Sequence, residues 1–168
     1  AGGMAIVLRV RDTRLDAEVA LKLLRPGLED CWRAALLREA RLLASFRHPA
    51  ILPVHDLGEL EDGRPFYTMA LAAGTPLARV VGVGLSGGVE HVWRVAEALG
   101  HAHARGVTHG DLSPNNVMIG PHGDVLVVDW GLALRRGEPA PNAGTPGYFV
   151  GRADPSADVF AIGGLLAF

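Results

Sequence analysis

Two short apolar runs, residues 117–119 and 125–128, stand either side of a turn that carries Gly120, Pro121 and Gly123. Spacing this tight predicts a β-hairpin, because the turn residues supply the unusual backbone angles and the runs supply side chains for two short strands. Closing the hairpin brings Asn116 and Asp129 side by side at its open end. Both offer oxygen. An amide and a carboxylate suit a hard cation such as Mg2+, which completes its shell with water and substrate phosphates rather than with a full protein cage. Asp111, five residues before Asn116, falls in a loop near the same mouth, where its carboxylate is placed to accept a proton from an attacking hydroxyl. Any one of these residues alone reads more simply as a turn or cap residue, and their joint spacing is what points to chemistry.

The rest of the chain alternates in character. Runs rich in Val, Ile and Leu at 4–10 and 18–24 flank a polar stretch at 11–16 and predict a first hairpin. From about 30 to 46, Trp32, Leu36, Leu43 and Phe46 recur at helical spacing, and His48 and Pro49 end that helix. Strand-like runs at 51–57 and 65–71 follow, joined by a turn at Glu61, Asp62 and Gly63. The first half therefore reads as a small antiparallel sheet with one helix. After a Gly-rich connection at 82–88, Val89, Val92, Trp93, Ala96 and Leu99 predict a second helix over 89–105, and residues 137–147 read as a loop. The uninterrupted apolar run at 159–168 is expected to begin a core helix that the sequence in hand cuts short, with any membrane or regulatory segment beyond it left open. The class expected is α+β.

Composition narrows the functions. At 168 residues and 49% hydrophobic, the chain can bury a real core. Sixteen Lys and Arg against eighteen Asp and Glu leave a net charge of -2, so no excess of positive charge is available for a phosphate backbone, and nucleic acid is not an expected partner. Cys31 is the single cysteine, which excludes an internal disulfide and a cysteine-rich zinc site and suits a reducing cytoplasm. His101 and His103 are two apart on the expected helix, point different ways, and make a poor metal pair.

The sequence His-Gly-Asp-Leu-Ser-Pro-Asn-Asn at 109–116, followed by Asp129-Trp130-Gly131, resembles the catalytic and metal-binding loops of bacterial-type serine/threonine protein kinases. Val-Ala-Leu-Lys at 19–22 is similar to the strand motif whose lysine holds the α- and β-phosphates of ATP, and Glu39 falls where that family's helix supplies the lysine's partner. The residues support this independently, since Glu39 lies beside the apolar stripe, where a buried carboxylate needs a cation. Gly2, Gly3 and Val7 resemble the back half of the loop that covers the phosphates, with Ala5 where the last glycine is usual. Residues 66–72 look like the strand and hinge against which adenine docks, with Met69 as gatekeeper, Ala70 and Ala72 presenting backbone groups, and Ala20 and Met118 closing the apolar slot. Gly-Thr-Pro-Gly-Tyr at 144–148 is similar to the segment that binds substrate peptide, with Thr145 helping to hold Asp111, and Asp158-Val159-Phe160 is similar to the start of the large core helix. The resemblance implies a two-lobed fold, incomplete here, with an N-lobe at 1–69, a hinge at 70–75 and a mainly helical C-lobe from 76 to 168. It also implies ATP and Mg2+ as cofactors, Asn116 and Asp129 as metal ligands, and a Ser or Thr hydroxyl of a protein as acceptor.

Departures from the pattern are specific. Gly110 replaces the catalytic-loop arginine that normally pairs with a phosphate on the activation loop, and residues 132–143 contain no Ser, Thr or Tyr. Ser113 stands where a lysine usually neutralises the transferred phosphoryl, so transition-state stabilisation is expected to be weaker. Val150-Gly151-Arg152 stands in place of Ala-Pro-Glu, and Trp130 in place of phenylalanine. Two alternatives stay open: a pseudokinase scaffold that binds nucleotide without turnover, and a small-molecule phosphotransferase like the aminoglycoside and choline kinases. Phe-Arg-His-Pro at 46–49 and Gly-Thr-Pro-Gly-Tyr at 144–148 favour the protein-kinase type.

Overall fold

A four-stranded antiparallel sheet and one helix make up the first of two compact units, residues 1–47 with 52–72, and residues 48–51 with 73–168 make up the second. The computed structural model describes residues 4–14, 16–28, 30–80, 85–139, 144–146, 148 and 154–167. In chain order the elements of the first unit are β1 (Ala5–Asp12), β2 (Ala17–Leu24), α1 (Asp30–Ser45), β3 (Val54–Glu59) and β4 (Pro65–Ala70). The strands lie in the order β1-β2-β4-β3, so β2 is a central strand. Val19, Ala20, Leu23 and Leu24 are all buried there, which explains why β2 reads as a nearly continuous apolar run rather than an alternating one. Helix α1 packs on β2, β3 and β4 through Leu36, Ala40 and Leu43. Trp32, expected on that face, is 44% exposed, because the buried stripe begins one turn later.

The strand expected over 51–57 begins only at Val54. Pro53 has no N–H to give a ladder, and Ile51 forms a parallel bridge with Val127 in the second unit's own sheet, where the Ala50 carbonyl accepts from the Val127 N–H at 2.8 Å. A register shift between Val54 and Asp56 then adjusts β3 to β4.

The second unit contains β5 (Thr75–Pro76), a 3-10 turn (Leu77–Arg79), α2 (Leu85–His103), β6 (Val107–Thr108), β7 (Val117–Ile119), β8 (Val125–Val127), β9 (Leu134–Arg135) and α3 (Pro155–Ala167). Strands β7 and β8 form the expected hairpin, β5 adds to its β7 edge, and β6 pairs with β9. Gly74 enters β5 at φ +128, and a Cβ there would overlap the Ile119 carbonyl, so only glycine allows the edge strand to approach. Helix α2 starts at Leu85, earlier than the sequence reading, and takes Gly87 and Gly88 into its first turns. Its buried stripe is Val92, Val95, Leu99 and Ala102 with Ala98, which leaves Val89 and Trp93 on the exposed side. Helix α3 packs on α2 and β6, burying Ala157, Ala161 and Leu165 while Val159, Phe160 and Leu166 stay exposed. Among the described residues no helix is long and apolar enough to cross a membrane.

Asp158 is the buried acid of α3, and it holds a loop in place. Its Oδ2 accepts from His103 Nε2 (2.7 Å) and from the His109 N–H (2.9 Å), and its Oδ1 accepts from the Gly110 N–H (3.0 Å). Burial opposes ionisation, but the His103 hydrogen bond, electrostatic attraction to the His109 imidazole and the two backbone donors outweigh it and hold the carboxyl below its ordinary range. A depressed folded value gives stability that is complete above the ordinary carboxylate range near ~4 and is lost as pH falls towards that folded value. Asp158→Ala, which orphans the buried His109 N–H and the half-buried Gly110 N–H, is expected to cost about 2–4 kcal/mol at pH 7. Urea melts between pH 7 and 3 check both points: the gap between the two chains should be widest at neutral pH and should narrow with acid.

Candidate active site

In the first unit a cation and an anion meet inside the protein. Lys22 points from β2 towards α1, and its Nζ donates to both carboxylate oxygens of Glu39, at 2.7 and 3.0 Å. Glu39 is 3% exposed and Lys22 8%. Two buried charges survive in such a place only when each satisfies the other, and deleting one leaves an uncompensated ion. A third group completes the cluster: the Tyr67 hydroxyl, from β4, donates to Glu39 Oε1 at 3.0 Å. Tyr67 lies in the strand similar to the family's hinge approach but is given no role there from sequence, so only the structure reveals its bond to Glu39.

The other sequence-selected residues of this unit fall around β2. Val7 is the register partner of Lys22 on β1 and is exposed, whereas Ala20 is buried opposite Met69. Met69, Ala70 and Ala72 are half-buried, and the Ala70 N–H is engaged by the Pro53 carbonyl at 3.1 Å. Gly2 and Gly3 lie outside the described residues.

In the second unit the loop at 109–116 and the β7–β8 hairpin are locked to one another. The Val128 N–H donates to the Asn116 carbonyl at 2.9 Å, extending the ladder to the open end where Asn116 and Asp129 sit. Asn116 Nδ2 donates to the Asp111 carbonyl at 2.8 Å and to its Oδ2 at 3.3 Å, which orients the amide and leaves its oxygen for another partner. Asp111 Oδ1 in turn accepts from both the N–H (2.7 Å) and the hydroxyl (2.6 Å) of Thr145. Asp129 is exposed and adopts φ +60, a left-handed conformation rare outside glycine that costs on the order of 1 kcal/mol or more. Met118 is half-buried in β7, opposite Leu126 and Pro76.

His109 couples the loop to the hairpin. It is fully buried against Trp130, with ring centroids 4.6 Å apart. Its Nε2 lies 3.1 Å from the Val128 carbonyl and its Nδ1 3.3 Å from the Asp111 nitrogen, and the tautomer with its proton on Nε2 satisfies both. Trp130 adds a bond from Nε1 to the Val127 carbonyl at 3.1 Å.

Two positions in the loop differ in kind from the others. Gly110 has φ +80, and a Cβ there would come within 2.8 Å of the Leu132 carbonyl, so the backbone excludes any side chain at this position. Ser113 is 1% exposed, and its hydroxyl finds no partner among the described residues. The structure therefore sets the Ser113 hydroxyl in the interior, unlike the half-exposed Asp111 carboxylate. Thr145 is itself braced: the Tyr148 N–H donates to the Thr145 carbonyl at 3.1 Å, and the Tyr148 ring lies over Gly164 of α3 so closely that a Cβ there would come within 2.7 Å of it.

Comparison with known proteins gives the family. The family model described as protein kinase domain matches residues 1–167. The chain is 36% identical to the DNA damage-responsive serine/threonine-protein kinase RqkA of Deinococcus radiodurans over 183 residues, covering 98% of this chain and 27% of that protein. It is 36% identical to the serine/threonine-protein kinase PknD of Mycobacterium tuberculosis over 144 residues, covering 82% of this chain and 22% of that one. With the serine/threonine-protein kinase pkn3 of Myxococcus xanthus it shares 39% identity over 142 residues, covering 79% of this chain and 26% of that one. The chain thus spans about a quarter of the length of these curated relatives. With its buried lysine–glutamate pair, its braced Asp111 and its Asn116–Asp129 hairpin mouth, the chain belongs to the protein kinase domain family.

Proposed function

We propose that the chain binds ATP with Mg2+ and transfers the γ-phosphoryl group to a Ser or Thr hydroxyl of a protein, in the cytoplasm. The observation that carries this reading is the pair of bonds from Thr145 to Asp111 Oδ1, which hold the proposed base from a segment similar to the peptide-binding segment of the family. In this reading Asp111 accepts the acceptor hydroxyl's proton as its oxygen bonds to the γ-phosphorus, and the bond to the β–γ bridging oxygen breaks to release ADP. Lys22 holds the α- and β-phosphates, and Glu39 holds Lys22. Asn116 and Asp129 fit a hard cation, being an oriented amide oxygen and an exposed carboxylate flanking one hairpin end. Mg2+ bound there would neutralise phosphate charge. By resemblance to the family, Val7, Ala20, Met69, Ala70, Ala72 and Met118 are assigned to adenine recognition, and Gly2 and Gly3, outside the described residues, to the phosphates. Ser113, an interior hydroxyl in place of the family's lysine, supplies no charge to the transferred group, so turnover is expected to be slow.

Asp129→Asn should remove the dependence of ATP affinity on Mg2+, as read by titration calorimetry with and without the cation. Unchanged metal dependence would reject Asp129 as a ligand. Asp111→Asn should lower transfer by about 10^2 to 10^4-fold while ATP still binds. Labelled ATP offered with a basic protein, a Ser/Thr peptide library, aminoglycosides and choline measures the transfer and its acceptor. Label on a small molecule alone would overturn the protein-acceptor reading, and bound ATP without label anywhere would leave a nucleotide-binding scaffold.

Phosphorylation of the 132–143 segment has neither an acceptor nor a receiver, because that stretch carries no hydroxyl and the Gly110 backbone admits no arginine. Turnover should therefore be unchanged after phosphatase treatment. A large fall in rate, mapped to a lost phosphate, would refute this.

A further inference from the structure

Glu39 is bonded by more than its lysine. Oε1 accepts from Lys22 at 2.7 Å and from the Tyr67 hydroxyl at 3.0 Å, and Oε2 accepts from Lys22 at 3.0 Å. Lys22 and Tyr67 are direct register partners on β2 and β4, so the pleat sends both side chains to one face of the sheet, the face on which α1 lays Glu39. Tyr67 is 1% exposed. Phenylalanine would fill the same volume, so the hydroxyl is the part of this side chain that packing does not explain. A buried phenol needs a partner, and this one bonds a carboxylate that also holds the lysine.

The shared oxygen has a consequence for the lysine. A flexible ammonium that must reach a nucleotide phosphate has to lean away from its carboxylate, and a buried carboxylate stripped of its donor is strongly disfavoured. A second donor, fixed on a neighbouring strand with only two side-chain torsions, keeps Glu39 satisfied while the ammonium is divided between carboxylate and phosphate. It also holds α1 in one rotation against the sheet, because Glu39 is then tied to two strands.

We propose that Tyr67 is a positioning residue for nucleotide phosphates: its hydroxyl pins Glu39, and through Glu39 sets the Lys22 ammonium in place before nucleotide arrives. This rests on the reading of Lys22 as the phosphate ligand. The effect should be specific to phosphate, since adenine and ribose make no use of Lys22.

The test titrates ATP and adenosine onto the chain as it stands and onto its Tyr67→Phe, Glu39→Gln and doubly substituted forms. Tyr67→Phe should weaken ATP about tenfold, the scale of one hydrogen bond to a charged group, and leave adenosine within about twofold. In the Glu39→Gln background the same substitution should cause no further loss of ATP affinity. A Tyr67→Phe chain with a lowered melting temperature and an unaltered ATP-to-adenosine ratio would overturn the proposal, since the hydroxyl would then serve stability alone. Additive losses in the double variant would also overturn it. Should Tyr67→Phe fail to fold, 3-fluorotyrosine at position 67, which keeps the ring and strengthens the donor, must shift ATP affinity and spare adenosine. An unsubstituted chain that binds ATP no more tightly than adenosine would remove the reading of Lys22 and this inference together, whereas ATP selectivity insensitive to Tyr67 removes only the inference.

Discussion

The loop that carries Asp111 has little regular structure of its own, and its conformation hangs on one carboxylate. Asp158 gathers two consecutive backbone N–H groups, those of His109 and Gly110, and a histidine from the end of α2. Consecutive N–H groups converge on a single acceptor only when the chain turns sharply, and the turn here passes through Gly110 at φ +80. Once that turn is set, the His109 ring is directed inward against Trp130, its two nitrogens read the Asp111 and Val128 backbones, and the loop and hairpin mouth become one body. The geometry around Asp111 is thus assembled from the interior outward, beginning with a buried acid that never touches substrate in the proposed reaction.

Glu39 and Lys22 do the corresponding work in the first unit, and the contrast is informative. Asp158 is satisfied mostly by dipoles, which cannot leave. Glu39 is satisfied by an ammonium at the end of a long side chain and by a phenol on a short one, so one of its partners has more reach towards a ligand than the other. A carboxylate with fixed donors suits a scaffold, and one with a movable donor suits a binding site.

Much of this was legible in the sequence wherever a residue type conflicted with its surroundings. Lys22 in an apolar strand and Glu39 beside an apolar stripe each demanded a partner, and each has the other. The hairpin was legible because its turn residues are unambiguous. What escaped was of two kinds. Tyr67 and Asp158 are typical for their elements, a tyrosine in a strand and an acid in the first turn of a helix, and their role depends on which distant groups the fold delivers to them. Trp32, Val89 and Trp93 keep the helical spacing read from the sequence but stand on exposed faces, because neighbouring positions on a helix differ by about 100° and the core of α2 takes the smaller Val95 and Ala98. The two-residue strands β5, β6 and β9 are too short to show any period at all, and Ile51 joined the hairpin sheet rather than β3 because Pro53 interrupts the intervening ladder.

Helix α3 contains two adjacent glycines that are equal by intrinsic propensity and unequal in place. Beside Gly163 a Cβ would meet nothing within 4 Å, while at Gly164 it would collide with the Tyr148 ring. Alanine at 163 is therefore a change that selection or an engineer could adopt for a firmer helix without disturbance. At 164 the same alanine has to lift the ring, and with it the turn that sets Thr145 on the Asp111 carboxylate. A search for thermal tolerance scored by helix content alone would rank the two substitutions together, and one of them would trade robustness of the scaffold against alignment of the proposed proton acceptor.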